Sequence, residues 1–332
     1  MSPDLLNSDP GHSDLGRDET NSDSSAIGTA AAGASAAGPT GIHAVFLGPQ
    51  GVRAGWRAAM YVALFFLFLF ILEGLAALFY PQVLVFRGQI SPGVLFAQEA
   101  ASAFCAVCAA LVMGRIEGRR FDDYGMPWRG ALRGYFWKGA LWGIGQITVV
   151  VLLIRALGGY SFGEAALGGA EAVEYGLLWA GFFLVVGVFE EFFFRGYLQF
   201  TAASGMGFWP AAMLLSVIFG ASHLSNPGEG FLGVLDVFLI GMFFCLTLRR
   251  TGDLWFAIGF HTTWNFGETY VYSVPNSGIV LPGQLLHASL DGPDWLTGGS
   301  VGPEGSVLAF AVTAVTFVAF DRIYRPRRCR QN

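Results

Sequence analysis

Long apolar runs recur along this chain, divided by short polar segments, and they leave few folds open to it. A helix crossing a bilayer needs about 20 mostly apolar residues. Runs of that kind lie at approximately 56–80, 94–114, 134–157, 173–199, 207–224, 230–248, 254–274 and 305–324. The expectation is an all-α, polytopic integral membrane protein with about eight transmembrane helices. The run after Leu254 is the least regular, because His261 and Glu268 interrupt it. Only 13% of the 332 residues are charged, against roughly 25% in soluble domains, so water cannot be the solvent for most of this surface. No internal repeat of fixed period is visible.

Residues 1–50 differ in kind. They are mostly Ser, Gly, Ala, Asp, Thr and Pro, with no aromatic residue before Phe46. Such a segment buries too little surface to offset its chain entropy, and a disordered acidic cytoplasmic tail is expected there. Its first 23 residues hold Asp4, Asp9, Asp14, Asp18, Glu19 and Asp23 against Arg17 alone. That accounts for the whole net charge of −5, and the rest of the chain is neutral. The first apolar run starts too late and is too long for a secretory signal. Residues 51–332 form the expected multi-span domain. A neutral membrane domain gives no reason to expect nucleic-acid binding; the bilayer is the expected partner.

The basic residues are sided. Arg53 and Arg57 precede the first span. Arg115, Arg119, Arg120, Arg129 and Arg133 fall between the second and third, Arg249 and Arg250 follow the sixth, and Arg322 to Arg330 close the last. With eight spans all of these share one side, which the positive-inside rule makes cytoplasmic. Both termini then lie inside, in what is expected to be the plasma membrane. The opposite loops carry Glu164, Glu171, Glu229, Asp291, Asp294 and Glu304, and 275–303 is the longest of them. Trp56, Tyr80 and Trp255 near span ends read as interfacial anchors. Cys105 and Cys108 form a CxxC inside an apolar helix, where core packing is the expected role rather than redox or zinc chemistry.

A charge inside a span costs on the order of 2.5 to 3.5 kcal/mol on insertion scales, so each one asks for a reason. The fourth span holds two adjacent carboxylates in the stretch Phe189-Glu190-Glu191-Phe192-Phe193-Phe194-Arg195. Glu191 and Arg195 are four apart and stack on one helix face. Glu190 is turned by about 100° from its neighbour and cannot share that arginine well. This divides the pair into a neutralised, structural Glu191 and a free Glu190 suited to acid–base work. His223 ends the fifth span four residues after Phe219, and His261 and Asn265 share a face of the seventh. Asp236 and Glu73 are further acids inside spans, while Glu99 and Glu268, near span ends, are expected to be exposed.

In that order and on three spans, Glu-Glu-x-x-x-Arg, Phe-x-x-x-His and His-x-x-x-Asn resemble the motifs of the CPBP family of intramembrane proteases. That family includes CAAX prenyl endopeptidases and bacterial relatives linked to bacteriocin immunity. The resemblance covers about 173–274 and implies hydrolysis of a peptide bond in a membrane-associated protein or peptide, a lipidated one in its best-known members. It maps Glu190 and Glu191 onto the catalytic glutamate and its neighbour, with Arg195, His223, His261 and Asn265 completing the motifs. Glu190 helped by His223 would activate water, and His261 with Asn265 would stabilise the oxyanion. The cofactor stays open. Glu190, His223 and His261 would suffice for a zinc site, but the soluble HExxH signature is missing, which favours a glutamate-dependent reaction without metal. A scaffold or immunity-type binding protein that cleaves nothing is the main rival. A proton-relay transporter through Glu190, His223, Asp236 and His261 is a second.

Overall fold

The computed structural model describes residues 43–48, 51–79 and 91–325. The chain is an all-α polytopic membrane protein. Its long helices are α1 (Ala54–Phe79), α2 (Pro92–Glu117), α3 (Gly134–Ala156), α4 (Gly169–Glu191), α5 (Gln199–Met206), α6 (Phe208–Ser222), α7 (Phe231–Thr251), α8 (Trp255–Phe266) and α9 (Val307–Ile323). Six helical segments among the described residues are long and apolar enough to cross a membrane: α1, α2, α3, the continuous 169–206 segment, 208–225 and α7. The other two expected spans fall on shorter helices, α8 and α9. Most of the expected tail lies outside the described residues. Its last part, 43–48, forms one helical turn and a two-residue strand that pairs with Gly51–Val52.

Two of the helices change pitch where the motifs sit. α4 runs into a π-helical stretch, Phe192–Leu198, immediately after Glu191, and the backbone leaves helical geometry at Gly196. α8 runs into a second, Gly267–Val271, immediately after the His261–Asn265 pair. A π-turn widens the helix by one residue and is frequent at functional sites.

α8 is wedged between α3 and α4. Membrane helices gain little from hydrophobicity when they associate, so close backbone approach through small residues drives the packing. A methyl group on Gly139 would stand 1.9 Å from the Phe256 carbonyl oxygen, and one on Gly143 would stand 2.2 Å from that of Phe260. The small-xxx-small spacing of α3 is thus its contact with the helix carrying His261. Thr263 Oγ1 donates across the same seam to the Ala140 carbonyl at 2.7 Å.

The two ends of the bundle are tied differently. At the arginine end, Arg57 on α1 meets Glu117 on α2 at 3.0 Å and donates to Ser204 on α5. Arg250 on α7 pairs with Asp321 on α9. Trp255, expected at the interface, is buried there instead, its indole N–H donating to the Pro127 carbonyl at 3.0 Å; the α2–α3 loop folds over it. At the other end, Tyr160–Ser161 pairs antiparallel with Ser289–Leu290, and Trp179 donates to the Pro282 carbonyl at 3.1 Å. Gly302, at φ 105°, lets this loop pass Pro275, whose carbonyl oxygen would lie 2.1 Å from any Cβ there. That turn delivers Glu304 to the bundle.

Candidate active site

Arg195 and Glu191 are both fully buried, and Arg195 Nη1 donates to Glu191 Oε1 at 3.2 Å. The guanidinium lies over the Phe219 ring, 4.1 Å from its centroid. Phe219 in turn holds His223 twice: its carbonyl oxygen is 2.9 Å from Nδ1, and the two rings meet edge to face. The first motif therefore supports the second through one aromatic ring, and His223 keeps Nε2 as its unengaged nitrogen.

The same carboxylate fixes the third motif. Glu191 Oε1 accepts from His261 Nδ1 at 3.0 Å, and His261 Nε2 faces Glu190 Oε2 at 3.7 Å. Arg195 pairs with Glu191, no Lys or Arg among the described residues pairs with Glu190, and the two glutamates meet on the two ring nitrogens of His261. A carboxylate on one ring nitrogen sets which way the other nitrogen points. Phe244 stacks on the flat face of His261 and completes its cage.

Glu190, His223, His261 and Asn265 all line one cavity of about 400 Å³. Apolar side chains, Phe182, Phe183, Val186, Ile240 and Trp264 among them, make up the larger part of the remaining wall. The cavity reaches Asn226, Asn276, Ser277 and Glu304 in the loops of the acidic end, whereas no residue of the α2–α3 or α7–α8 loops lines it. No Lys or Arg among the described residues contributes to its walls.

Several acids sit elsewhere than expected. Glu268 is fully buried, not exposed, and Glu99 lines the cavity opposite Glu190 and His261. Asp236 is buried in the cavity wall at 5% exposure, beside Gln146 and Thr313, whereas Glu73 lies on the outside of α1. In the loops of this end, burial pushes the Glu304 carboxyl up, opposed chiefly by a hydrogen bond from Ser277. Glu229 is raised by burial first and by the charge of Glu304 second.

The zinc alternative needs Glu190, His223 and His261 to converge on one point. Among the described residues no group of three His, Cys, Asp or Glu side chains is placed to hold a metal ion. The set does not fit a metal in this arrangement. Cys105 and Cys108 are free thiols on α2, Cys105 buried in its packing face.

No curated protein and no solved structure matches the chain. One family model does, type II CAAX prenyl endopeptidase Rce1-like, over residues 172–267, and this supports a CAAX-type intramembrane protease in general. That stretch carries every motif residue from Glu190 to Asn265, and the match bears out the chain's resemblance to the CPBP family of intramembrane proteases.

Proposed function

We propose that the protein is an endopeptidase of the plasma membrane in which Glu190 is the general base. The observation that carries this reading is the chain Arg195–Glu191–His261–Glu190. Its first three members neutralise and orient one another, and its last member lines the cavity with no Lys or Arg partner among the described residues, facing only the His261 imidazole. Glu190 takes a proton from water, and the resulting hydroxide attacks the scissile carbonyl carbon. The proton then passes to the leaving amine, from Glu190 directly or by way of His223 at the outer side of the cavity. His261, in its protonated form, donates from Nε2, and the Asn265 amide donates beside it, both toward the developing oxyanion. A preorganised donor of that kind is worth about 100-fold or more.

The arginine end lies in the cytoplasm with both termini, by the positive-inside rule. The cavity then faces away from the cytoplasm, and the peptide bond to be cut belongs to a segment reaching the membrane from the far side or from within the bilayer. Comparative membrane proteomics of the wild-type chain against Glu190→Gln tests the proposal. One precursor should accumulate in the variant, and in the wild type it should be cut. His223→Ala should accumulate the same precursor. Identical proteomes with both variants inserted at normal abundance would leave the scaffold reading in place of the protease.

A further inference from the structure

The cavity that holds Glu190 and His261 is also a chamber for polar groups that the hydrolytic chemistry does not use. Asp236 on α7, Gln146 on α3 and Glu304 line it, at 5%, 5% and 9% exposure. Each leaves one buried oxygen without a hydrogen-bond partner: Asp236 Oδ1, Gln146 Oε1 and Glu304 Oε1. Gln146 spends its amide N–H on Thr313 Oγ1 at 2.8 Å, so the carbonyl is its free end. Glu99 Oε2, across the cavity, is a fourth unpaired acceptor. Against these four the cavity wall offers one unpaired buried donor, Asn276 Nδ2.

A buried acceptor left without a partner costs about 1–3 kcal/mol, and more when it is charged. Four of them facing one space call for a ligand that brings several donors and positive charge. A metal ion is the wrong shape, because the carboxylates are not gathered closely enough to hold one. A guanidinium carries five N–H donors in a flat fork, and an ammonium carries three on one atom. Val237, Ile240 and Phe260 line the cavity beside these groups and suit the methylene stem of such a side chain, which packs on apolar surface while its head finds polar partners. No Lys or Arg among the described residues lines the cavity.

From this we infer that the chamber is a specificity subsite for a basic side chain of the peptide substrate, arginine in first place, with Asp236, Glu304 and the Gln146 carbonyl as its acceptors. The inference rests on the peptidase reading only for the word substrate; the recognition itself needs no cleavage. Glu304, at the loop end, meets the cation first, and Asp236 receives it deeper in the bundle.

The test uses the full chain carrying Glu190→Gln in lipid nanodiscs, so that binding is read without turnover. The probes are a fluorescent alanine–leucine host peptide with one central arginine and the same peptide with citrulline, a neutral isostere. The arginine peptide should bind about tenfold more tightly or better, as expected for charged hydrogen bonds. Adding Asp236→Asn or Glu304→Gln should each bring the ratio toward one. Glu304→Gln lies in a loop and keeps the test usable should Asp236→Asn fold poorly. Equal affinity for the two peptides, including no measurable binding of either, overturns the subsite, as does a preference that both substitutions leave intact. Wild-type protein that prefers arginine but cuts nothing would sink the peptidase reading and spare the subsite.

Discussion

The two ends of this bundle use the same acidic side chains to opposite effect. At the arginine end Glu117 is shared by Arg57 at 3.0 Å, Arg119 at 3.7 Å and the Tyr197 hydroxyl, and Asp321 is shared by Arg250 and Arg325. At the far end Glu229, Asp236, Glu268 and Glu304 take part in no salt bridge among the described residues, and each has at least one buried oxygen without a hydrogen-bond partner. A satisfied network rigidifies a fold, whereas an unsatisfied one stores cost that only function explains. Pairing thus separates acids that tie helices together from acids left without a basic partner among the described residues. Glu190 and Glu191 differ more finely: Glu191 meets both Arg195 and His261, and Glu190 meets His261 alone, at 3.7 Å.

The largest effect that could break this comparison falls on Glu190. Glu190→Gln should lower cleavage by about 10² to 10⁴, the usual worth of a general base, with thermal stability unchanged in detergent. A stable variant with near-wild-type turnover would mean that an acid held by a histidine alone is not a functional one here. Arg195→Leu tests the opposite class. Breaking a buried pair costs about 3–5 kcal/mol because it strands the partner charge, so abundance and Tm should both collapse. A well-folded Arg195→Leu chain would show that Glu191 is held chiefly by His261.

Smaller effects sharpen the boundary between the two ends. Gly143→Ala forces α3 away from the α8 backbone, and overpacking of that sort costs about 1–3 kcal/mol. Because α8 carries His261, turnover should fall further than Tm predicts, and the pair of readouts checks this. Glu117→Gln removes the charge on which Arg57 and Arg119 converge. Stability should drop by about 1.5–3 kcal/mol, the range for hydrogen bonds to charged groups, and kcat should stay at the wild-type value. A kcat loss there would mean that the arginine end is coupled to the site.

Much of this was legible from the residues. Hydropathy located the helical segments, because a backbone in lipid must satisfy its own hydrogen bonds. Helical spacing alone assigned Arg195 to Glu191, and the Gly139–Gly143 spacing marked a real helix crossing. What stayed hidden was tertiary. Lipid-facing and protein-facing side chains are equally apolar, so periodicity cannot say which face of a span is buried. That is why Glu99 and Glu268 read as exposed, and why the polar contacts of Gln146 and Thr313 gave no signal. The Glu191–His261 bond joins residues 70 positions apart, beyond the reach of any spacing rule. The π-turns after both motifs likewise have no composition of their own. Trp255 near a span end looked like an anchor until the α2–α3 loop was seen to cover it.

Asp253 gives the smallest effect and the finest test, because it sits at the arginine end and takes part in no salt bridge among the described residues. Its carboxylate accepts from the Trp255 backbone N–H at 3.0 Å at the start of α8. Burial raises its pKa from 3.8 to about 6, opposed by that hydrogen bond. The folded state therefore keeps this proton over a window in which the unfolded chain has released it. Stability from this group falls as pH rises from about 4 to about 6, and the loss is complete above that. Asp253→Asn retains an acceptor for the Trp255 N–H and removes the titration. The Tm difference, variant minus wild type, should thus grow between pH 4 and pH 6 and level off beyond it. A difference that ignores pH would mean that Asp253 is solvated in the folded chain, and that even an acid outside those salt bridges at this end carries no stored cost.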